Sequence, residues 1–312
     1  TLSPNNVRID SLDPNTRALK NARFDNRISH RYPLRSLSNT VNHISRESTI
    51  PPLLLNHIFD VHGKRLSIDA LISGGEAEIW CRSLSNEWRR LASGNDRGVI
   101  GTKTIRFIKR TEVPADRDVT YATFVCDVRP LKSETHRVRV TVGGDRLSCP
   151  DDTGSPAANM LETKLLVNST ISKAKHGARF LSSDIVNYFL ASPMDRTEYM
   201  RVRLKHFPDD IQRRYNLQEL ATSDGWVYIA IDKGMYGLKN SAILAYENLK
   251  VNLGKFGYYP VQGTVGLWAH TTRRTRFCVC VDDFGVQYFS SADAEHLLGA
   301  IGRAYKYTVD LE

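Results

Sequence analysis

Two short apolar runs, Phe277-Cys-Val-Cys-Val281 and residues 284–289, flank two adjacent carboxylates, Asp282 and Asp283. Runs of this length, rich in aromatic and β-branched residues, read as strands, and the acidic step between them reads as the turn of a β-hairpin. Adjacent carboxylates repel one another, so a counterion stabilises them. Hard oxygen donors of this kind suit Mg²⁺, which takes one or two carboxylates plus substrate phosphate. A local reading also stands, because aspartates favour turns through hydrogen bonds to their own backbone. A third carboxylate, Asp184, lies near the end of the apolar run 178–185, where it can equally cap a helix.

The remaining pattern supplies the frame. Ile79, Trp80, Leu84, Trp88 and Leu91 fall at helical spacing over residues 77–91, and Met160, Leu161, Leu165, Leu166 and Ile171 do so over 157–175. Residues 98–109, 121–128, 137–142, 178–185 and 226–231 read as strands, with Gly143-Gly144-Asp145 as a turn after 142. Helices are expected over 241–256 and 292–305. After Gly177 the expected order is strand, loop, strand, helix, strand-turn-strand, helix. The fold class is α+β, with helices on one face of an antiparallel sheet.

Lys and Arg outnumber Asp and Glu by 43 to 34, a net charge of +9 that suits a polyanionic partner such as nucleic acid. Residues 1–65, poor in apolar periodicity and with 8 basic against 4 acidic residues over 1–50, read as a basic, mostly disordered linker. The five scattered cysteines form neither a disulfide framework nor paired zinc knuckles, and Cys278 and Cys280 are expected to pack on one side of a strand. No apolar run approaches the roughly 18 residues that span a bilayer, so no membrane partner is expected.

Four blocks in series carry a resemblance: Asp184-Ile-Val-Asn-Tyr-Phe189, Glu198-Tyr-Met200, Lys233-Gly-Met-Tyr-Gly-Leu-Lys-Asn-Ser241 and Val281-Asp-Asp283. In order and spacing they resemble the Ty1/copia-type retrotransposon reverse transcriptases, over roughly residues 75–312. Upstream, Glu87-Trp88 and Arg137-Val-Arg-Val-Thr-Val-Gly-Gly144 look like the family's fingers segment. The resemblance implies a right-hand polymerase fold, with fingers at about 75–178 and 194–232 and palm at about 179–193 and 233–312. It implies RNA-directed DNA polymerase activity, with a template-primer of RNA or DNA and dNTPs as partners. Two Mg²⁺ ions, replaceable by Mn²⁺, would be held by Asp184 and Asp282 with Asp283 in support.

Phe189 takes the place of the family's gate against a 2′-hydroxyl. Tyr236 and Gly237 match the block against the incoming nucleotide, and Arg137 and Arg139 match contacts to its triphosphate. Lys233 and Lys239 are candidate phosphate contacts. Asn240, Ala242 and Cys280 depart from the usual Gln, Pro and aromatic. The sequence stops at Glu312, so a core ending before a thumb is expected. Two alternatives stay open: a catalytically silent relic that keeps the palm fold and binds nucleic acid, and a palm-domain nucleotidyltransferase of the host. By resemblance the expected location is a cytoplasmic virus-like particle, with the nucleus as the alternative.

Overall fold

The computed structural model describes residues 58–311 except 61, 95–97, 130–133 and 149–153. In chain order the helices and strands begin with α1 (Ile68–Ser73), α2 (Ala77–Leu91), β1 (Ile105–Ile108), β2 (Val119–Val128), β3 (His136–Val142), α3 (Met160–Ser172) and β4 (Arg179–Ile185). Next come β5 (Pro193–Arg203), α4 (Asp209–Arg214), α5 (Leu217–Leu220), β6 (Trp226–Lys233) and α6 (Ser241–Gly254). The chain closes with β7 (Tyr258–Pro260), β8 (Leu267–His270), β9 (Arg276–Cys280), β10 (Asp283–Tyr288), α7 (Ser291–Gly302) and β11 (Tyr307–Leu311). Two units result: among the described residues the first holds 156–186 and 249–311, and the second holds the remainder. No described helix is long and apolar enough to cross a membrane.

The first unit is built on a six-stranded antiparallel sheet, order β11-β4-β10-β9-β8-β7. Its helices start where capping chemistry dictates. Asn159 accepts the Leu161 and Glu162 N–H groups while Glu162 reaches back to the Asn159 N–H, and Ser290 accepts the Asp293 N–H. The expectation of helices on one face is corrected here. Gln287 of β10 donates to Ser169 and Thr170 of α3 at 3.2 and 3.1 Å, and Leu166 packs with Cys278. On the opposite face Phe277 lies between Trp268 and Phe284, and Tyr258 beside it bonds His296 of α7 at 2.9 Å. A sheet whose two faces are both apolar must be covered twice.

The second unit holds a five-stranded sheet, order β1-β6-β5-β2-β3. Here too a correction applies, because β2 and β5 run parallel, Thr120 beside Met200. Residues of β2 and β5 are separated by a long connection, which is what a parallel pair requires. Trp80, Leu84, Trp88 and Leu91 form one buried stripe on α2, each worth about 2 kcal/mol of apolar burial. Because β3 is an edge strand, its outward N–H groups need partners. Ser83 accepts the Val138 N–H at 2.8 Å and Glu87 accepts the Val140 N–H at 3.3 Å.

Several expected bounds shift. The linker reading over 1–65 lies outside the described residues up to 57; beyond that, Phe59 bridges to Arg65 and Ile58 packs on the core, so this part is ordered. Strand structure in 98–109 is confined to β1, with Ile100 exposed. Residues 193–203, expected as a loop, form β5, whose Glu198, Met200 and Val202 alternate inward. Gly143-Gly144-Asp145 opens a 3-10 turn. In α3, Met160, Leu161 and Leu165 face outward, and Leu166 and Thr170 are the buried positions.

Candidate active site

The first unit carries the three aspartates. In the β9–β10 hairpin the turn is Val281-Asp282, one residue earlier than expected, and Asp283 is already the first residue of β10, opposite Cys280. Val281 has φ 62°, while Asp282 stays at negative φ. A positive φ at the first of two turn residues is the type II′ pattern, which glycine usually occupies. A β-branched side chain there is strained by about 1–3 kcal/mol.

On the other side of β10 lies β4. The Ile185 N–H donates to the Asp282 carbonyl at 2.9 Å, and the next pair in register is Asp184 with Asp283. Successive antiparallel pairs alternate, so Asp184 and Asp283 form the non-hydrogen-bonded kind, in which side chains share a face and approach most closely. The register therefore sets Asp283 opposite Asp184, and Asp282 sits at the apex. One carboxylate oxygen of Asp184 is fully enclosed. Two opposed carboxylates are a donor set that fits a hard divalent cation. Among the described residues no three His, Cys, Asp or Glu side chains are arranged to hold a metal, so Asp282 does not complete a trio.

Cys280 shares the row with these carboxylates. The residue is exposed, yet partial desolvation pushes its thiol up, and Asp283 and Asp282 push it further. It therefore stays a protonated thiol at neutral pH. Cys278, two residues earlier, is buried against α3 as expected of a packing residue.

The second unit carries the other candidates. Phe189 and Tyr236 meet edge to face at 5.3 Å, and the Arg139 guanidinium lies 5.4 Å over the Tyr236 ring. Three residues far apart in sequence are thus brought together. Arg137 is engaged elsewhere: it meets Glu134 at 3.0 Å and Glu87 at 3.7 Å, and Glu87 also pairs with Arg90. Burial lowers the Arg137 guanidinium from its ordinary value, and Glu87 opposes that.

The Lys233–Ser241 block is held by contacts to the segments packed around it and by one hydrogen-bonded pair within it. Lys233 donates to the Thr102 carbonyl at 2.6 Å and Lys239 to the Leu147 carbonyl at 3.3 Å. Ser241 accepts the Met235 N–H and donates to the Met235 carbonyl, both at 2.9 Å. Gly237 has φ 95°, and a Cβ there would meet the Val142 carbonyl oxygen at 2.0 Å. Its close backbone approach is made to β3. Gly144 answers from the other side, since a Cβ there would lie 2.1 Å from the Gly237 oxygen.

Sequence reasoning missed the role of Glu87, which caps an edge strand and gathers arginines. A glutamate on the buried stripe of an amphipathic helix was the available signal. The strain at Val281 had no sequence signal beyond the absence of glycine in a two-residue turn.

No family model and no curated protein matches the chain. Among solved structures, the foamy viral protease–reverse transcriptase in complex with double-stranded DNA aligns with TM-score 0.33 and 14% identity, over 66% of this chain and 28% of that one. Telomerase from Candida albicans, in complex with a TWJ fragment of telomeric RNA, aligns with TM-score 0.40 and 9% identity, over 76% of this chain and 46% of that one. The chain spans less than half the length of either, and likenesses this slight carry no argument about its activity.

Proposed function

We propose that the chain is the catalytic core of an RNA-directed DNA polymerase of the Ty1/copia retrotransposon type, acting on a template-primer and dNTPs. The observation that carries the reading is the opposed pair Asp184 and Asp283 beside the hairpin apex that holds Asp282. The four sequence blocks support it independently. Asp184 and Asp283, with Asp282 beside them, would hold Mg²⁺ or Mn²⁺. Bound there, the cation supplies Lewis acidity toward a primer 3′-hydroxyl and the leaving pyrophosphate. In the second unit, Phe189 packed on Tyr236 offers a rigid ring edge that excludes a 2′-hydroxyl sterically. Arg139, held over Tyr236, presents a guanidinium fork suited to a triphosphate. Arg137, Lys233, Lys239 and Gly237 shape and stiffen the segments that carry these groups, and the two lysines retain donors for phosphate.

Primer extension on poly(rA)·oligo(dT) with Mg²⁺ tests the reading. The wild-type chain should extend, and Asp283→Asn or Asp184→Asn should lower the rate about a thousandfold. No extension by the wild type would sink it. A second reading, a catalytically silent relic that keeps the fold and binds nucleic acid, is favoured by the departures Asn240, Ala242 and Cys280 from the family's blocks. Nucleic-acid binding without extension would establish it.

A further inference from the structure

We infer that the exposed part of the outer face of the second unit's sheet is a docking platform for single-stranded nucleic acid, centred on Arg201, Arg203 and Trp226. Strand parity separates the two faces of this sheet. Met200, Val202, Val227 and Ile229 point into the core, whereas Tyr199, Arg201 and Arg203 of β5 and Trp226 and Tyr228 of β6 take the other side. On that side Arg203 stands opposite Trp226 and Arg201 opposite Tyr228. The guanidinium groups of Arg203 and Arg201 lie 3.9 and 4.5 Å over the Trp226 ring. Arg110 lies 6.0 Å over Tyr228, and Arg117, its guanidinium committed to Glu198 at 2.8 Å, lies 5.8 Å over Tyr199 at the margin of the face.

Val113, from the connection between β1 and β2, packs over Tyr228 and Ile108. It leaves Arg201, Arg203 and Arg110 exposed and Trp226 half-buried. A merely solvated sheet face mixes charges of both signs. Here Asp232 is matched to Arg106, and the acid beside the Arg201–Arg203 pair is Asp224, whose backbone carbonyl accepts from Arg203 at 2.5 Å; around Trp226 the arginines outnumber it.

A guanidinium stacked on an aromatic ring keeps its N–H edge free for phosphate and its outer plane free for a base. Rows of such groups bind single strands, whose bases expose their faces, whereas a duplex hides them. The chain's net charge of +9 fits the same partner. None of these residues belongs to the carboxylate site or to the proposed nucleotide contacts, so the inference stands or falls separately from the polymerase reading.

The test is binding, measured in EDTA and without nucleotides, so that extension plays no part. Labelled oligo(rU) about twelve nucleotides long is titrated against the full chain by fluorescence anisotropy, with a blunt duplex as competitor. Trp80, Trp88 and Trp268 are sealed in the cores, so quenching of indole emission on binding reports Trp226. The expected result is single-strand preference with quenching. Arg201→Gln with Arg203→Gln should weaken binding about tenfold and make the log–log salt slope shallower by about 1.4, about 0.7 for each phosphate left without its arginine. Trp226→Phe should abolish the quenching and keep affinity within about threefold, because a ring remains to stack on. The inference is overturned if the wild type does not bind, if the duplex competes equally, if binding leaves indole emission unchanged, or if the double variant keeps both affinity and slope. Should that variant fail to fold, the wild-type quenching decides alone.

Discussion

The two units differ in how their sheet acids are set, although the first unit also matches Asp293 of α7 to Arg273 at 3.1 Å. In the second unit the buried acids are matched to arginines: Glu87 with Arg90 and Arg137, and Glu198 with Arg117 and Arg196, both at 2.8 Å. The partly exposed Asp232 also receives a two-pronged contact from Arg106, at 2.6 and 3.1 Å. In the first unit the sheet register sets Asp184 directly opposite Asp283. Matched charges hold a structure together, whereas two carboxylates set opposite each other repel, and a bound cation would relieve that repulsion. The contrast separates acids matched within the fold from the opposed pair to which the proposed function assigns a cation.

That contrast predicts mutational effects of opposite sign. Glu87→Ala should cost about 3 kcal/mol in chemical denaturation, since it leaves two largely buried arginines with Glu134 as their shared acid and uncaps the β3 edge. An effect below about 1 kcal/mol would mean the second unit does not depend on its matched charges. Gly237→Ala should cost about 2 kcal/mol, through both its positive φ and the Val142 carbonyl in its path. A variant with wild-type stability but weaker dNTP binding would return Gly237 to the nucleotide. Asp283→Asn should instead stabilise, by about 0.5 kcal/mol in metal-free buffer, as cross-strand repulsion is relieved; destabilisation would break the comparison.

The smallest effect concerns pH. The Arg106 guanidinium holds the Asp232 carboxyl below its ordinary value, with the Thr197 hydroxyl assisting. A group depressed in the folded state contributes stability that is present above its unfolded value, near pH 4, and is lost as pH falls through the folded value. Asp232→Asn should therefore flatten the fall in stability below about pH 4, followed by denaturant midpoints across acid buffers. An unchanged acid limb would show that this contact contributes nothing.

Legibility varied with how local the signal was. The α2 stripe from Trp80 to Leu91, the hairpin strands and the α3 region were readable because periodicity and capping act within one turn or one strand. The strand β5 was not, since Asp195, Arg196 and Thr197 mask an alternation that matters only once β6 and β2 flank it. The outward face of α3 was likewise misjudged, because Leu161 and Leu165 are apolar yet exposed. Among the candidate residues, the grouping of Phe189, Tyr236 and Arg139 appears only in the fold. So does the diversion of Arg137 to Glu87 and Glu134.

By itself the sequence determined the α+β class and a hairpin with Asp282 in its turn, because short apolar runs around an acidic step admit few other conformations. Tertiary structure alone decided that Asp283 faces Asp184, that Val281 takes the strained turn position, and that Gly237 yields space to β3. Those outcomes depend on which strand lies beside which and in what register. A shift of one residue moves every side chain to the other face, and no local pattern encodes that choice.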